Sequence, residues 1–274
     1  MKKTIIFLLF FAGLNVFLFA QQNPFFKFYF NGNDVTSIVP VFGNSIFLFG
    51  SREAGLGAFN IDSMKYVGIL QKLYAQIPSH NIRNIKKFSN DTLWICTDRG
   101  LVRYRSNEIL ILNTNNSPIP SNVVNDIYRD VLGGLWIATS NGLAYNLGDN
   151  WTVYNTSNSG IPDDYVTTVK VDPLGNIWVG TPNGIGMFDR NEWYVWNTGN
   201  SGLPDNYISF IEFDSFNNSK WIGTLGGGLV NWLGDNFYVF DTTNSPLPSN
   251  MVTCFAIRNY WFLGKFSNSN NLNY

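Results

Sequence analysis

Leu135-Trp136-Ile137-Ala138-Thr139 is one of four copies of a single phrase in this chain. The others are Leu93-Trp94-Ile95-Cys96-Thr97, Ile177-Trp178-Val179-Gly180-Thr181 and Lys220-Trp221-Ile222-Gly223-Thr224. With Trp261 included, the tryptophans step by 42, 42, 43 and 40 residues. A glycine follows three residues after the threonine at Gly100, Gly142 and Gly184, and four residues after it at Gly228. The prolines Pro78, Pro120, Pro162, Pro204 and Pro248 keep the same step. Two independent markers in one period mean that a single unit was copied along the chain. A period of about 40–50 residues belongs to a solenoid, propeller or array.

The unit from Tyr165 to Trp196 shows what is repeated. Tyr165 to Val171 is apolar and β-branched, and it ends in the turn cluster Asp172-Pro173-Leu174-Gly175-Asn176. Ile177 to Thr181, Ile185 to Phe188 and Glu192 to Trp196 are further short runs separated by Pro182-Asn183-Gly184 and Asp189-Arg190-Asn191. A longer polar connection, Asn197 to Asn206, leads to the next unit. Four short strands joined by tight turns, with no helical period, describe a propeller blade. The sequence predicts an all-β propeller of six four-stranded blades, the tryptophans wedged between neighbours. Ile46 to Gly50 marks a degenerate first unit, and Met251 to Ile257 with Tyr260 to Gly264 supply two strands of the last. Phe25 to Phe30 reads as an orphan strand that completes the last blade and removes exposed sheet edges.

Residues 1–20 stand apart from this pattern. Met1-Lys2-Lys3 precedes an almost wholly apolar run to Ala20, and Leu18-Phe19-Ala20 before Gln21 resembles a signal-peptidase site. An uncleaved N-terminal anchor is the other reading of this run. Residues 21–274 read as one propeller domain in an extracytoplasmic location, with no membrane span beyond the signal segment. The formal charge of −1 becomes about −3 when Lys2 and Lys3 leave. With no basic stripe to neutralise phosphates, nucleic acid is not an expected partner. Cys96 falls in the slot of Ala138, Gly180 and Gly223, and Cys254 in the slot of Asp126, Thr168 and Phe210. The two are expected to be free, buried thiols.

Asn158-Ser159-Gly160-Ile161-Pro162-Asp163-Asp164, Asp172 to Thr181 and Asn200 to Asn206 resemble the two-component regulator propeller repeat. The resemblance covers about Pro78 to Leu263. It implies an extracytoplasmic recognition role, since such propellers commonly form sensor regions of bacterial hybrid histidine kinases, often linked to polysaccharide use. The sequence shows no downstream membrane helix, kinase or response-regulator segment, so the resemblance implies no phosphorelay chemistry in this polypeptide. A histidine kinase on a separate chain is the partner it suggests.

The repeat also filters candidates for chemistry. His80, the only histidine, occupies the slot of Asn122, Asp164, Asn206 and Asn250, where a turn residue suffices. One histidine cannot build a multi-histidine zinc site, and neither metal nor cofactor is expected. Asp130, Asp172 and Asp214 recur in one turn. Glycoside hydrolysis needs two carboxyls opposed across a cleft, and the spacing of Asp126 and Glu212, acids outside the turn pattern, shows no such pair. The inter-blade connections and the turns between second and third strands share one propeller face. They carry His80, Asp98, Arg99, Asn141, Asp164, Asn183 and Asn206. Arg99 breaks its slot, where other units carry Asn or Gly. The expected function is an exported, non-catalytic module binding a carbohydrate or protein ligand. A sensor component of a two-component system, or a fragment of one, is the alternative, and a polysaccharide lyase or hydrolase the third reading.

Overall fold

The computed structural model describes residues 35–266 apart from 42–44, 61, 64, 67–70, 90, 215–216 and 259–260. The first blade comprises β1 (Val35–Val41), β2 (Ile46–Ser51), β3 (Leu56–Asn60) and β4 (Lys65–Tyr66). The second holds β5 (Ile82–Lys87), β6 (Thr92–Thr97), β7 (Gly100–Arg105) and β8 (Glu108–Leu112). β9 (Val124–Arg129), β10 (Leu135–Thr139), β11 (Gly142–Leu147) and β12 (Asn150–Tyr154) form the third. In the fourth are β13 (Thr168–Val171), β14 (Ile177–Thr181), β15 (Gly184–Phe188) and β16 (Trp193–Trp196). The fifth has β17 (Ile208–Phe213), β18 (Lys220–Thr224), β19 (Leu229–Leu233) and β20 (Asn236–Phe240). Within each sheet the strands pair antiparallel in chain order. β21 (Val252–Arg258) and β22 (Trp261–Phe266) form a hairpin.

Among the described residues the fold is therefore a β-propeller with five four-stranded blades, not the six predicted. The sixth tryptophan-period unit contributes two strands among the described residues. The strand predicted at Phe25 to Phe30, and with it the predicted closure, lies outside them, as do the signal segment and the side chain of Cys254. A short helix, α1 (Gln71–Gln76), interrupts the connection between the first two blades.

Each sheet is apolar on both faces, so burial comes from sheet stacked on sheet. Five clusters of buried side chains result, one for each successive junction from the first blade to the β21–β22 hairpin. Leu73 of α1 enters the first of them. Cys96 sits in the junction between the second and third blades, where burial pushes its thiol well above the usual range. The tryptophans are the wedges. Trp178 stacks on Trp196 of its own blade at 5.4 Å and meets Phe213 and Trp232 of the next edge-on. Trp136 lies in the cluster formed with Val169, Ile177 and Val179 of the following blade.

The repeated threonine and glycine have equally local causes. Thr97, Thr139, Thr181 and Thr224 are buried, and each hydroxyl donates across its turn to the carbonyl of Gly100, Gly142, Gly184 or Gly228 at 2.7–2.9 Å. Those four glycines hold φ between +89° and +125°, a region L side chains rarely adopt. A Cβ at Gly142 would also sit 2.8 Å from the carbonyl oxygen of Tyr154. The phrase is thus a strand, a wedge and a turn lock in eight or nine residues.

Candidate functional site

The first strands of all the blades line a central channel of about 810 Å³, to which Thr253 of the hairpin also contributes. A register shift recurs where five of these strands leave the loop-bearing face: at Thr36, Arg83, Asn125, Ser209 and Thr253. Thr167 holds the corresponding slot just before β13. A β-bulge re-aims side chains and breaks strict alternation, and here it sets a ring of polar groups on the channel wall.

This ring is bonded around the axis. Thr36 Oγ1 donates to the carbonyl of Ile82 at 2.8 Å, Asn125 Nδ2 to that of Val166 at 2.7 Å and Thr167 Oγ1 to that of Ile208 at 2.6 Å. Ser209 donates in the same way to the Val252 carbonyl. Arg83 departs from the pattern: its Nη1 donates to the side-chain oxygen of Asn125 at 3.0 Å. Residues one sequence period apart are neighbours in space here, so the 42-residue step becomes a circumferential contact.

A second level lies one residue further along. Asn84 Nδ2 donates to Asp126 Oδ1 at 2.8 Å, and Thr168 Oγ1 to Asp126 Oδ2 at 2.8 Å. The amides of Ile127 and Val169 donate to the same carboxylate at 2.9 and 3.3 Å. The Lys86 ammonium stands 3.4 Å from Asp126 Oδ1. Asp126 is 3% exposed, and these donors are what makes a buried carboxylate tolerable. Burial works against the Lys86 ammonium, but Asp126 and Glu212 outweigh it and hold its pKa above the usual 10.5. Deeper still, Lys170 Nζ lies 2.7 Å from Glu212 Oε2 and 6.0 Å from the centre of the Tyr128 ring.

The channel thus gathers two of the sequence-predicted residues, Asp126 and Glu212. Asp164 and Asn206 are engaged elsewhere. Each accepts the amide of a threonine eight residues earlier, at 2.7 Å from Thr156 and 2.8 Å from Thr198, as Asn122 and Asn250 do for Thr114 and Thr242. They staple the inter-blade connection. Asn183 Nδ2 donates to Asp163 Oδ2 at 2.7 Å, and Arg99 and Asn141 are exposed on the loop face with their amides bonded to Thr97 and Thr139. His80 is exposed beside Gly55. Asp98 is half-buried, and its Oδ1 has no partner among the described residues.

Sequence reasoning missed Arg83, Lys86 and Lys170. The signal was present: Arg83 shares a slot with Asn125, Thr167 and Ser209, and Lys86 with Tyr128, Lys170 and Glu212. Among the described residues no group of three or more His, Cys, Asp or Glu could hold a metal ion. No helix among them is long and apolar enough to cross a membrane.

Comparison with known proteins adds the following. The model of the two component regulator propeller matches residues 118–141 and 160–183. A search of the curated proteins returns no match. The fold resembles the extracellular domain of BT3049 from B. thetaiotaomicron, described as a hybrid two component system. The TM-score is 0.67 at 22% identity, over 82% of this chain and 31% of that one. The corresponding domain of BT4673 gives 0.64 at 18% identity, over 84% and 31%. Virginiamycin B lyase from Staphylococcus aureus gives 0.61 at 14% identity, over 81% and 73%. At such identities the likeness is one of fold, and the chain spans under a third of the first two proteins. Over these two segments the repeat unit of this chain is similar to the two component regulator propeller repeat.

Proposed function

We propose that this propeller is the ligand-recognition part of an extracytoplasmic sensing system of two-component type. The kinase would stand on another chain, or the propeller would be a fragment of a longer sensor. The observation that carries this reading is the two-component regulator propeller repeat at residues 118–141 and 160–183. The extracellular hybrid two-component domains among the structural neighbours support it, as does the export signal read at residues 1–20.

The ligand, a carbohydrate or a protein, is received at the channel rather than on the loop tips. Most loop polar groups hold turns together, whereas Arg83, Lys86 and Glu212 face a cavity large enough for a small oligosaccharide. A lyase or hydrolase reading is weaker. Donors occupy both oxygens of Asp126 and Lys170 holds Oε2 of Glu212, so the channel does not present two unengaged carboxyls to a substrate.

A glycan array run beside a degradation assay separates the readings. Retention without turnover is expected; turnover would replace recognition by catalysis, and silence on every glycan would point to a protein ligand. For sensing, deletion of the gene should abolish the host's transcriptional response to the retained ligand. An unchanged response would refute the sensor role while leaving binding intact.

A further inference from the structure

The channel has the opposite charge to the chain around it. Five cationic side chains, Arg52, Arg83, Lys86, Lys87 and Lys170, line it against two carboxylates, Asp126 and Glu212, in a protein of net charge −1. Both carboxylates are already paired with lysines. The lining alone therefore carries more positive than negative groups, and Arg83 stands at its loop-bearing mouth with Tyr165 and Tyr207. Burial and the neighbouring Tyr165 and Asp163 raise the Tyr207 phenol above its usual range, against the opposing pull of Arg52 and Arg83, which puts these groups within electrostatic reach of Tyr207.

Arg83 uses little of its donor capacity within the protein. A guanidinium offers five donors, yet its one hydrogen bond goes to Asn125, and its Nε is buried with no acceptor among the described residues. Buried donors without acceptors are costly and rare, and an oxyanion is the acceptor a guanidinium fork fits. The nearby acids do not cancel this charge by contact. Asp163 accepts the Tyr165 amide at 2.7 Å and the Asn183 side chain at 2.7 Å, and Asp205 accepts the Tyr207 amide at 3.1 Å. Tyr165 and Tyr207 also break their own slot, which holds Asn81, Val123 and Met251 in other units. A phenol ring offers an apolar face for a sugar ring and a hydroxyl for its rim.

We infer that the loop-bearing mouth of the channel binds the carboxylate or sulfate of a small ligand on Arg83, with the body of that ligand against Tyr165 and Tyr207. This rests on the recognition reading of the channel and is independent of any coupling to a kinase.

Isothermal titration calorimetry at low ionic strength tests it with three probes: trigalacturonate, its neutral counterpart galactotriose, and sodium sulfate. Trigalacturonate is expected to bind and galactotriose not to, with affinity falling as salt rises. Arg83→Gln should weaken binding about tenfold or more. Arg129→Gln, which removes a positive charge from the exposed far end of β9, should leave binding unchanged. Should Arg83→Gln fail to fold, Arg83→Lys, which keeps the charge but loses the guanidinium fork, should still weaken binding. Sulfate that competes with trigalacturonate assigns the site to free inorganic oxyanions as well; sulfate that does not compete assigns it to carboxylated sugars. Equal binding of galactotriose, indifference to substitution of Arg83, or no binding of any anion would overturn the inference. Binding of a neutral glycan alone would leave the recognition reading standing.

Discussion

Asp126→Ala is the most informative single perturbation of the channel wall. It removes one acceptor from under five donors: Asn84 Nδ2, Thr168 Oγ1, the amides of Ile127 and Val169, and the Lys86 ammonium. The Lys86 side chain is 25% exposed, so its charge cannot fully rehydrate once its partner is gone. Removing one member of a largely buried ion pair costs about 3–5 kcal/mol, mainly for the charge left behind. For a domain of this size each kcal/mol lowers Tm by roughly 2–4 °C, so a fall of about 6–20 °C is expected. Asp126→Asn should cost less, about 1–3 kcal/mol, because one oxygen remains while the new amide opposes existing donors. Both are read by thermal and urea unfolding followed through tryptophan fluorescence. A fall in Tm under about 3 °C for Asp126→Ala would show that the network contributes little, and the reasoning from inter-blade bonds would fail.

Other consequences are as specific. Trp178 Nε1 donates to Asp172 Oδ2 at 2.9 Å, whereas the buried Trp136 Nε1 has no partner among the described residues. Trp178→Phe should therefore cost about 1 kcal/mol more than Trp136→Phe in urea unfolding, and the reverse order would refute that assignment. Thr139→Val removes a buried turn lock and should cost about 1–3 kcal/mol, measured the same way; no cost would mean the turn holds without it. Because the folded Lys86 pKa is raised, its contribution is complete below pH 10.5 and fades as pH rises through the folded value. Lys86→Met should lower stability at neutral pH and flatten the alkaline decline above 10.5; an unchanged alkaline slope would contradict the pairing.

The repeated residues that reveal the fold in sequence are those with local causes. Thr139 and Gly142 must be what they are because one turn needs a buried hydroxyl and a positive φ, so they recur in every matching unit. Blade number was less legible. Trp261 keeps the period, but a period counts units, and the last unit supplies only β21 and β22 among the described residues. The helix α1 was invisible because six residues are too few to show a 3.6-residue period.

The site was legible in part, for a different reason. Asp126 and Glu212 stood out as acids that break their slots, and both line the channel. Asp164 and Asn206 matched the loop face but serve as staples, since a side chain that recurs at one slot answers a need of the repeat. Arg83 escaped notice because its importance comes from the bulge at the start of β5, which aims it into the channel wall against Asn125. Slots in a repeat show which residues correspond; only the ring geometry shows that corresponding residues touch.

The channel as binding site is the claim most directly open to measurement. A crystal structure of the protein grown with trigalacturonate should show a sugar carboxylate within hydrogen-bonding distance of Arg83, inside the ring of first strands. Sugar bound instead among Arg99, Asn141 and Asn183 on the loop tips, with the channel empty, would contradict it.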